Sequence, residues 1–214
     1  MKFVRGGLQM TTIRDCIAPD RNPKVPSIKL PEGSIDTHVH IFESQYPLFE
    51  GRGYNPPDST LDDLKHLHSQ LGVSRVVYTQ PSPYGVDNSA ILKGMKVMND
   101  ETPGRARGVC AIKMDVSDDF LEDLDKQGIK GVRLNMDNIG GMPIGLDEIP
   151  TLEARIKDLG WHVEYLFPGK DIVELAPIFK KSSVPISIAH FAYQPATPGI
   201  NSEGFKTLWD LVRD

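Results

Sequence analysis

Six short apolar segments, spaced along most of the chain and separated by stretches of helical period, restrict the fold more than any other feature of this sequence. They are Ile35–Phe42, Val73–Gln80, Ala106–Lys113, Ile129–Met136, Trp161–Phe167 and Val184–His190. Their hydrophobicity is largely continuous rather than alternating, as expected of parallel strands covered by helices. Between them, leucines 61, 64, 67 and 71 fall on one helical face, Ser59 with Asp62 forms a capping box, and Gly72 follows as a stop. Phe120, Leu121 and Leu124 sit behind an acidic first turn, and Leu152, Ile156 and Leu159 precede Gly160. Ile172, Leu175, Ala176 and Phe179 follow Asp171 as N-cap, and Phe205, Leu208, Leu211 and Val212 make a last helix. Strand then helix, six times over, specifies parallel β-structure with right-handed crossovers. An open doubly wound sheet and a (β/α)8 barrel both satisfy it. No GxGxxG or P-loop follows the first strand, which weakens the nucleotide-binding version. Residues 1–33 carry four prolines and no periodicity and are read as an arm; 34–214 form the α/β domain.

Composition narrows the function classes. No apolar run approaches the roughly 18–20 residues of a membrane span, and the first twenty residues make a poor secretory signal. Cys16 and Cys110 form no framework, which suits a reducing compartment. These absences lead to the expectation of a cytoplasmic protein without membrane contact. The net charge is −5, with no basic block, so no nucleic-acid partner is expected.

The chemistry-bearing residues gather at strand ends. In Asp36-Thr37-His38-Val39-His40, alternation points His38 and His40 the same way. Two converging imidazoles bind a divalent ion or position a carbonyl and a water, or else form a hydrogen-bonded structural pair. Arg133 and Asn135 share a face of the fourth strand. An arginine there needs an anion, either a substrate carboxylate or a neighbouring Asp or Glu. His190 closes the sixth strand as a site or a packing residue. His162 starts the fifth strand, the wrong end for barrel chemistry, and is given a packing role; His66 and His68 are read as solvated helix residues. Tyr165 either donates a phenolic hydrogen bond or packs. Loop 79–88 is polar and Pro/Gly-punctuated, so Gln80, Ser82, Tyr84 and Asn88 are candidate substrate contacts, with plain turn chemistry and capping by Asn88 or Asp87 as the alternative.

With these residues in view, the chain resembles the amidohydrolase-related hydrolases (amidohydrolase 2 family) typified by the 2-pyrone-4,6-dicarboxylate lactonases. The resemblance rests on IDTHVHIF (35–42), TQPSPYGVDNSAIL (79–92), GVRLNM (131–136), and GWHVEYLFPGKDIVELAPIF followed by VPISIAHF (160–191), and runs through 34–214 in order. It implies a distorted (β/α)8 TIM-type barrel and hydrolysis of a lactone or similar ester in a small carboxylated compound. It further implies that His38, His40 and His190 polarise the scissile carbonyl. Arg133 would hold a carboxylate, and Ser82, Tyr165 and Tyr54 would line the pocket. Metal-dependent members bring a lysine on strand four or a histidine on strand five, where this chain is read to have Arg133 and Tyr165. A site without metal is therefore favoured, zinc or another divalent ion on His38, His40 and His190 being the alternative. A further arginine that the lactonases carry after strand four is replaced by 136-MDNIGG-141, against a dicarboxylated pyrone as substrate.

The family also supplies an aspartate from strand eight as the base for water. Only six βα units are present here, so the barrel is expected to be incomplete. A piece of a longer protein, a partner or second copy completing the barrel, and a non-catalytic remnant that only binds carboxylates or a partner are the explanations, in that order. As a 214-residue chain it is expected to hydrolyse poorly.

Overall fold

The computed structural model describes residues 13–136 and 144–213. All six apolar segments contain a strand: β2 (Ile35–Val39), β4 (Arg75–Thr79), β5 (Ala106–Cys110), β6 (Ile129–Asn135), β7 (His162–Leu166) and β8 (Ile186–Ile188). They form one parallel sheet in the order β2-β4-β5-β6-β7-β8, each strand beside its predecessor, so the sheet curls as part of a barrel rather than reversing as a doubly wound sheet does. The helices are α1 (Leu61–Leu71), α2 (Ser89–Glu101), α3 (Asp118–Lys126), α4 (Ile149–Ile156), α5 (Ile172–Phe179) and α6 (Glu203–Arg213). Within the arm, β1 (Arg14–Asp15) pairs with β3 (Tyr54–Asn55) of the loop after β2.

The core lies between sheet and helices. Val76, Tyr78, Val132, Leu134, Val163 and Tyr165 are at most 2% exposed and face the helices. Alternation along the strands sends their neighbours to the concave side. Close approach of α2 needs Gly94, where a Cβ would stand 3.1 Å from Ile41 and 3.2 Å from Tyr78.

Local chemistry sets the helix ends, in places one residue from expectation. Ser59 is tied through its backbone to Phe42, so α1 starts later; Thr60 is the N-cap and shares the capping box with Asp63, not Ser59 with Asp62. Gly72, at φ 78°, takes the left-handed conformation that ends α1. Ser117 accepts from Phe120 N at the start of α3, whereas Asp171 makes no side-chain cap because a 3₁₀ turn, Gly169–Asp171, leads into α5.

His68 corrects the reading of both α1 histidines as solvated. His66 is exposed, but His68 is 1% exposed and its Nε2 lies 3.2 Å from Asp36 Oδ2. A β-bulge allows this: Asp36 pairs with Val76 and Val39 with Tyr78, three steps on β2 against two on β4. The extra residue turns Asp36 to the helix layer while His38 and His40 keep the concave side.

Candidate active site

Three strands aim charged or titratable side chains at one point of the concave face. Arg133 and Glu164 are register partners on β6 and β7, with side chains 3% and 5% exposed. Arg133 Nε lies 3.0 Å from Glu164 Oε1, yet the two are too far out of line for a directed hydrogen bond, so the contact is ionic. Arg133 Nη1 donates to the Gln80 carbonyl at 3.0 Å. Glu164 Oε2 faces His38 Nδ1 at 3.4 Å. The ring of His38 lies 5.0 Å from that of His40 and 5.4 Å from that of His190, centroid to centroid. The structure therefore brings His38, His40, His190 and Arg133 together, and adds Glu164.

Electrostatics fixes protonation at two of these groups. Burial would raise the Glu164 carboxyl, but His38 and Arg133 outweigh it and hold the pKa below the ordinary carboxylate value. Burial, reinforced by Arg133 and His38, pushes His40 down to about 3, so its ring is neutral near neutrality. His40 Nδ1 lies 2.7 Å from the Thr79 carbonyl, which only accepts, so Nδ1 carries the proton and Nε2 the lone pair. His190 is also lowered, first by burial and then by His38 and Arg133. It stands at the exposed start of a left-handed turn, His190–Tyr193, with φ between 45° and 54°. Such conformations cost roughly 1–2 kcal/mol per residue for non-glycine residues.

A cavity of about 360 Å³ opens beside this cluster, lined by His38, Glu164, His190, His162, Val77 and Ser187 among others. His162 thus lines the cavity, but its Nδ1 is held 2.8 Å from the Lys130 carbonyl. Its ring lies over Gly131, where a Cβ would come within 2.6 Å of it.

The loop candidates turn out to build the wall. Gln80 is fully buried and its amide donates to the carbonyls of Gly85 and Asp87. Asn88 clamps the end of β5, accepting from Ala111 N at 2.9 Å and donating to Ala111 O at 2.8 Å, instead of capping α2; Asp87 binds Ser89 N at 3.0 Å. Ser82 accepts from the Asn135 amide, tying the loop to β6. Tyr84 Oη accepts from Glu43 N at 2.9 Å and pins the loop after β2. Tyr54 is half-buried and within electrostatic reach of Arg133, while burial raises its phenol.

Tyr165 is the misplacement. It faces the helices, with its ring 4.7 Å from that of Phe179. The strand-five position that points into the site belongs to Glu164, one residue earlier, a register the continuous apolar run hid. The signal was present: Glu164 is the single charged residue inside Trp161–Phe167. Of the expected replacement of an arginine at 136–141, all but Met136 lies outside the described residues. Among the described residues, no group of three or more His, Cys, Asp or Glu is placed to hold a metal ion, and no helix is long and apolar enough to cross a membrane.

The chain is similar to several known proteins. A 2-pyrone-4,6-dicarboxylate hydrolase of Comamonas testosteroni is 33% identical over 195 residues, 90% of this chain and 63% of its own. A 4-sulfomuconolactone hydrolase of Hydrogenophaga intermedia is 31% identical over 201 residues, 92% of this chain and 65% of its own. The chain thus spans just under two thirds of the length of these relatives. An Acinetobacter baumannii structure, named as a probable 2-pyrone-4,6-dicarboxylic acid hydrolase and holding citric acid, superposes with a TM-score of 0.72 at 27% identity, over 84% of this chain and 66% of that one. The amidohydrolase family model, Amidohydro_2, matches residues 35–214, and the chain belongs to that family.

Proposed function

We propose that this site hydrolyses a lactone or similar ester of a small carboxylated compound. The observation that carries the reading is the buried Arg133–Glu164–His38 chain, set beside His40 and His190 on the concave face near the strand C-termini. The relatives, named as pyrone and lactone hydrolases, and the citric acid in the superposed structure support a carboxylated ester as substrate.

The tautomers redistribute the roles implied by resemblance. His40 is neutral and its one N–H is committed to Thr79, so it orients a donor rather than polarising a carbonyl. Polarisation falls to His190, whose neutral ring has one N–H to offer, and to Arg133. Arg133 gives one of its five guanidinium donors to the Gln80 carbonyl and faces Glu164 through an ionic contact at Nε, and its remaining Nη donors suit a substrate carboxylate or the developing oxyanion.

A metal-dependent hydrolase or decarboxylase is the second reading. His40 places its Nδ1 proton on a carbonyl and His38 faces a carboxylate with Nδ1, as metal-binding histidines do. A catalytic zinc site nevertheless takes three protein ligands, and the described residues do not gather them. Stoichiometric zinc in protein purified without chelator would overturn the metal-free reading. The principal test is turnover of a lactone panel, including 2-pyrone-4,6-dicarboxylate and 4-sulfomuconolactone, by the purified chain. Turnover that disappears in His190→Ala supports the reading; no turnover of any lactone moves the chain to a carboxylate-binding role.

A further inference from the structure

We propose that Gln194 is a positioning residue of this site: by bridging to Gly169 it clasps the left-handed turn His190–Tyr193 and thereby fixes the His190 ring opposite His38. The effect on turnover rests on the hydrolase reading; the placement of His190 does not.

The turn does not hold itself. His190, Phe191, Ala192 and Tyr193 take φ of 54°, 54°, 48° and 45° in succession, and none of them is glycine, asparagine or aspartate. In that region an L-residue crowds its Cβ against the following carbonyl, so each of the four favours another conformation on its own. Strained backbone of this kind persists only where its surroundings over-determine it. Side-chain burial supplies little of that restraint. Phe191 is 73% and Tyr193 45% exposed, and of the four residues only Ala192 is buried.

Hydrogen bonding at one residue supplies the rest. Gln194 N donates to Phe191 O at 3.1 Å and closes the turn. Its side-chain Nε2 donates to Ala192 O at 2.9 Å inside the turn and to Gly169 O at 3.0 Å in the 3₁₀ turn after β7. One amide therefore ties the turn to the end of the strand that carries Glu164. The approach requires glycine at 169, where a Cβ would stand 2.5 Å from both Ala192 O and Tyr193 O. Gly204, in the first turn of α6, leaves room for the same amide, since a Cβ there would collide with Gln194 Oε1.

His190 receives the benefit. It is the first residue of the turn, and its ring lies 5.4 Å from that of His38 and 5.2 Å from that of Tyr193, centroid to centroid. A change of φ there swings Cβ and ring away from the site. A reacting group displaced by about 1 Å can lose roughly 10²-fold in rate, so such a group needs a supporting shell.

Nuclear Overhauser spectra of the ¹³C,¹⁵N-labelled 214-residue chain test the clasp, with His38 and His190 assigned by their loss in His38→Asn and His190→Asn. The parent should show strong intraresidue HN–Hα contacts at 190–193, the signature of positive φ, and a contact between the His38 and His190 rings. Absence of either overturns the proposal. Gln194→Met keeps the length and loses both N–H donors, and thermal melting verifies folding. Both signals should weaken in it; unchanged signals overturn the proposal. Gln194→Asn, one methylene short, is the milder second variant and should give the same loss. Adding Phe191→Gly to Gln194→Met supplies a residue that takes positive φ freely, so the ring contact should return. Failure to return would show that Gln194 does not act through the turn. In Gln194→Met kcat should fall by up to about 10²-fold with KM little changed. A KM rise at unchanged kcat assigns Gln194 to substrate binding and overturns the positioning role. If the parent chain turns over no lactone, the hydrolase reading fails, while the spectra still decide the clasp.

Discussion

The two faces of the curved sheet are built from the same strands but by different rules. The helix side is dry and apolar, with Val76, Tyr78, Val132, Leu134, Val163 and Tyr165 at most 2% exposed. The concave side carries His38, His40, Arg133, Asn135, His162 and Glu164, each held by a polar contact. A barrel interior is normally filled with branched apolar side chains, so placing an ion pair and histidines there sacrifices packing for chemistry. Shape holds the first face; pairing holds the second.

The largest expected effect breaks that pairing. Arg133→Met leaves Glu164 buried without the guanidinium that balances its charge and should lower stability by about 3–5 kcal/mol. Adding Glu164→Leu should restore most of the loss, since an apolar pair of similar volume replaces a buried ion pair at little cost. Urea denaturation of both variants checks this. A double variant as unstable as the single would show that the concave face depends on its charges for folding and not only for function.

This division explains what could be read from sequence. The helix side was legible because six apolar runs recur with helical periods between most of them, and the strands fall inside every expected segment. His38, His40, Arg133 and His190 were legible because polar residues at strand ends interrupt those runs. Glu164 and Tyr165 were exchanged because a continuous apolar strand carries no parity signal, and one residue decides the face. His68 was misjudged because its partner, Asp36, reaches the helix layer only through a bulge that no local pattern announces.

Acid should act on the concave face selectively. His40 is lowered from 6.5 to about 3 in the folded protein, so between those pH values the unfolded chain binds a proton that the folded chain refuses. Its contribution is therefore complete above about pH 6.5 and is lost as pH falls toward 3. Glu164, also lowered, adds to the loss in the same direction below the ordinary carboxylate pKa. Urea midpoints should decline through that window, and His40→Asn should flatten the decline, whereas a helix-side change such as Tyr78→Phe should not. A His40→Asn profile as steep as the parent's would place the acid sensitivity elsewhere.

Asn88 offers a smaller test, at the seam between the faces. Its side chain makes both hydrogen bonds to the Ala111 backbone, and Asn88→Ala should cost about 1–3 kcal/mol by leaving those groups unpaired. The loss should appear in stability, with KM for any substrate rising only as the loop wall loosens. A selective rise in KM at full stability would return Asn88 to the substrate contacts.

Tyr165→Phe should do least, and its smallness is informative. The hydroxyl is buried with no hydrogen-bond partner among the described residues, and the ring packs on Phe179. Removing the oxygen deletes an unpaired polar atom and keeps the aromatic contact, so stability should hold within about 0.5 kcal/mol or rise slightly. Lactone turnover should be unchanged, because Glu164, on the opposite face of β7, occupies the place a substrate contact would need. A tenfold fall in kcat/KM with unchanged melting would mean that Tyr165 reaches the substrate. The boundary between a packed face and a chemical one would then fail at this strand, and the strand-five role would pass back from Glu164 to Tyr165.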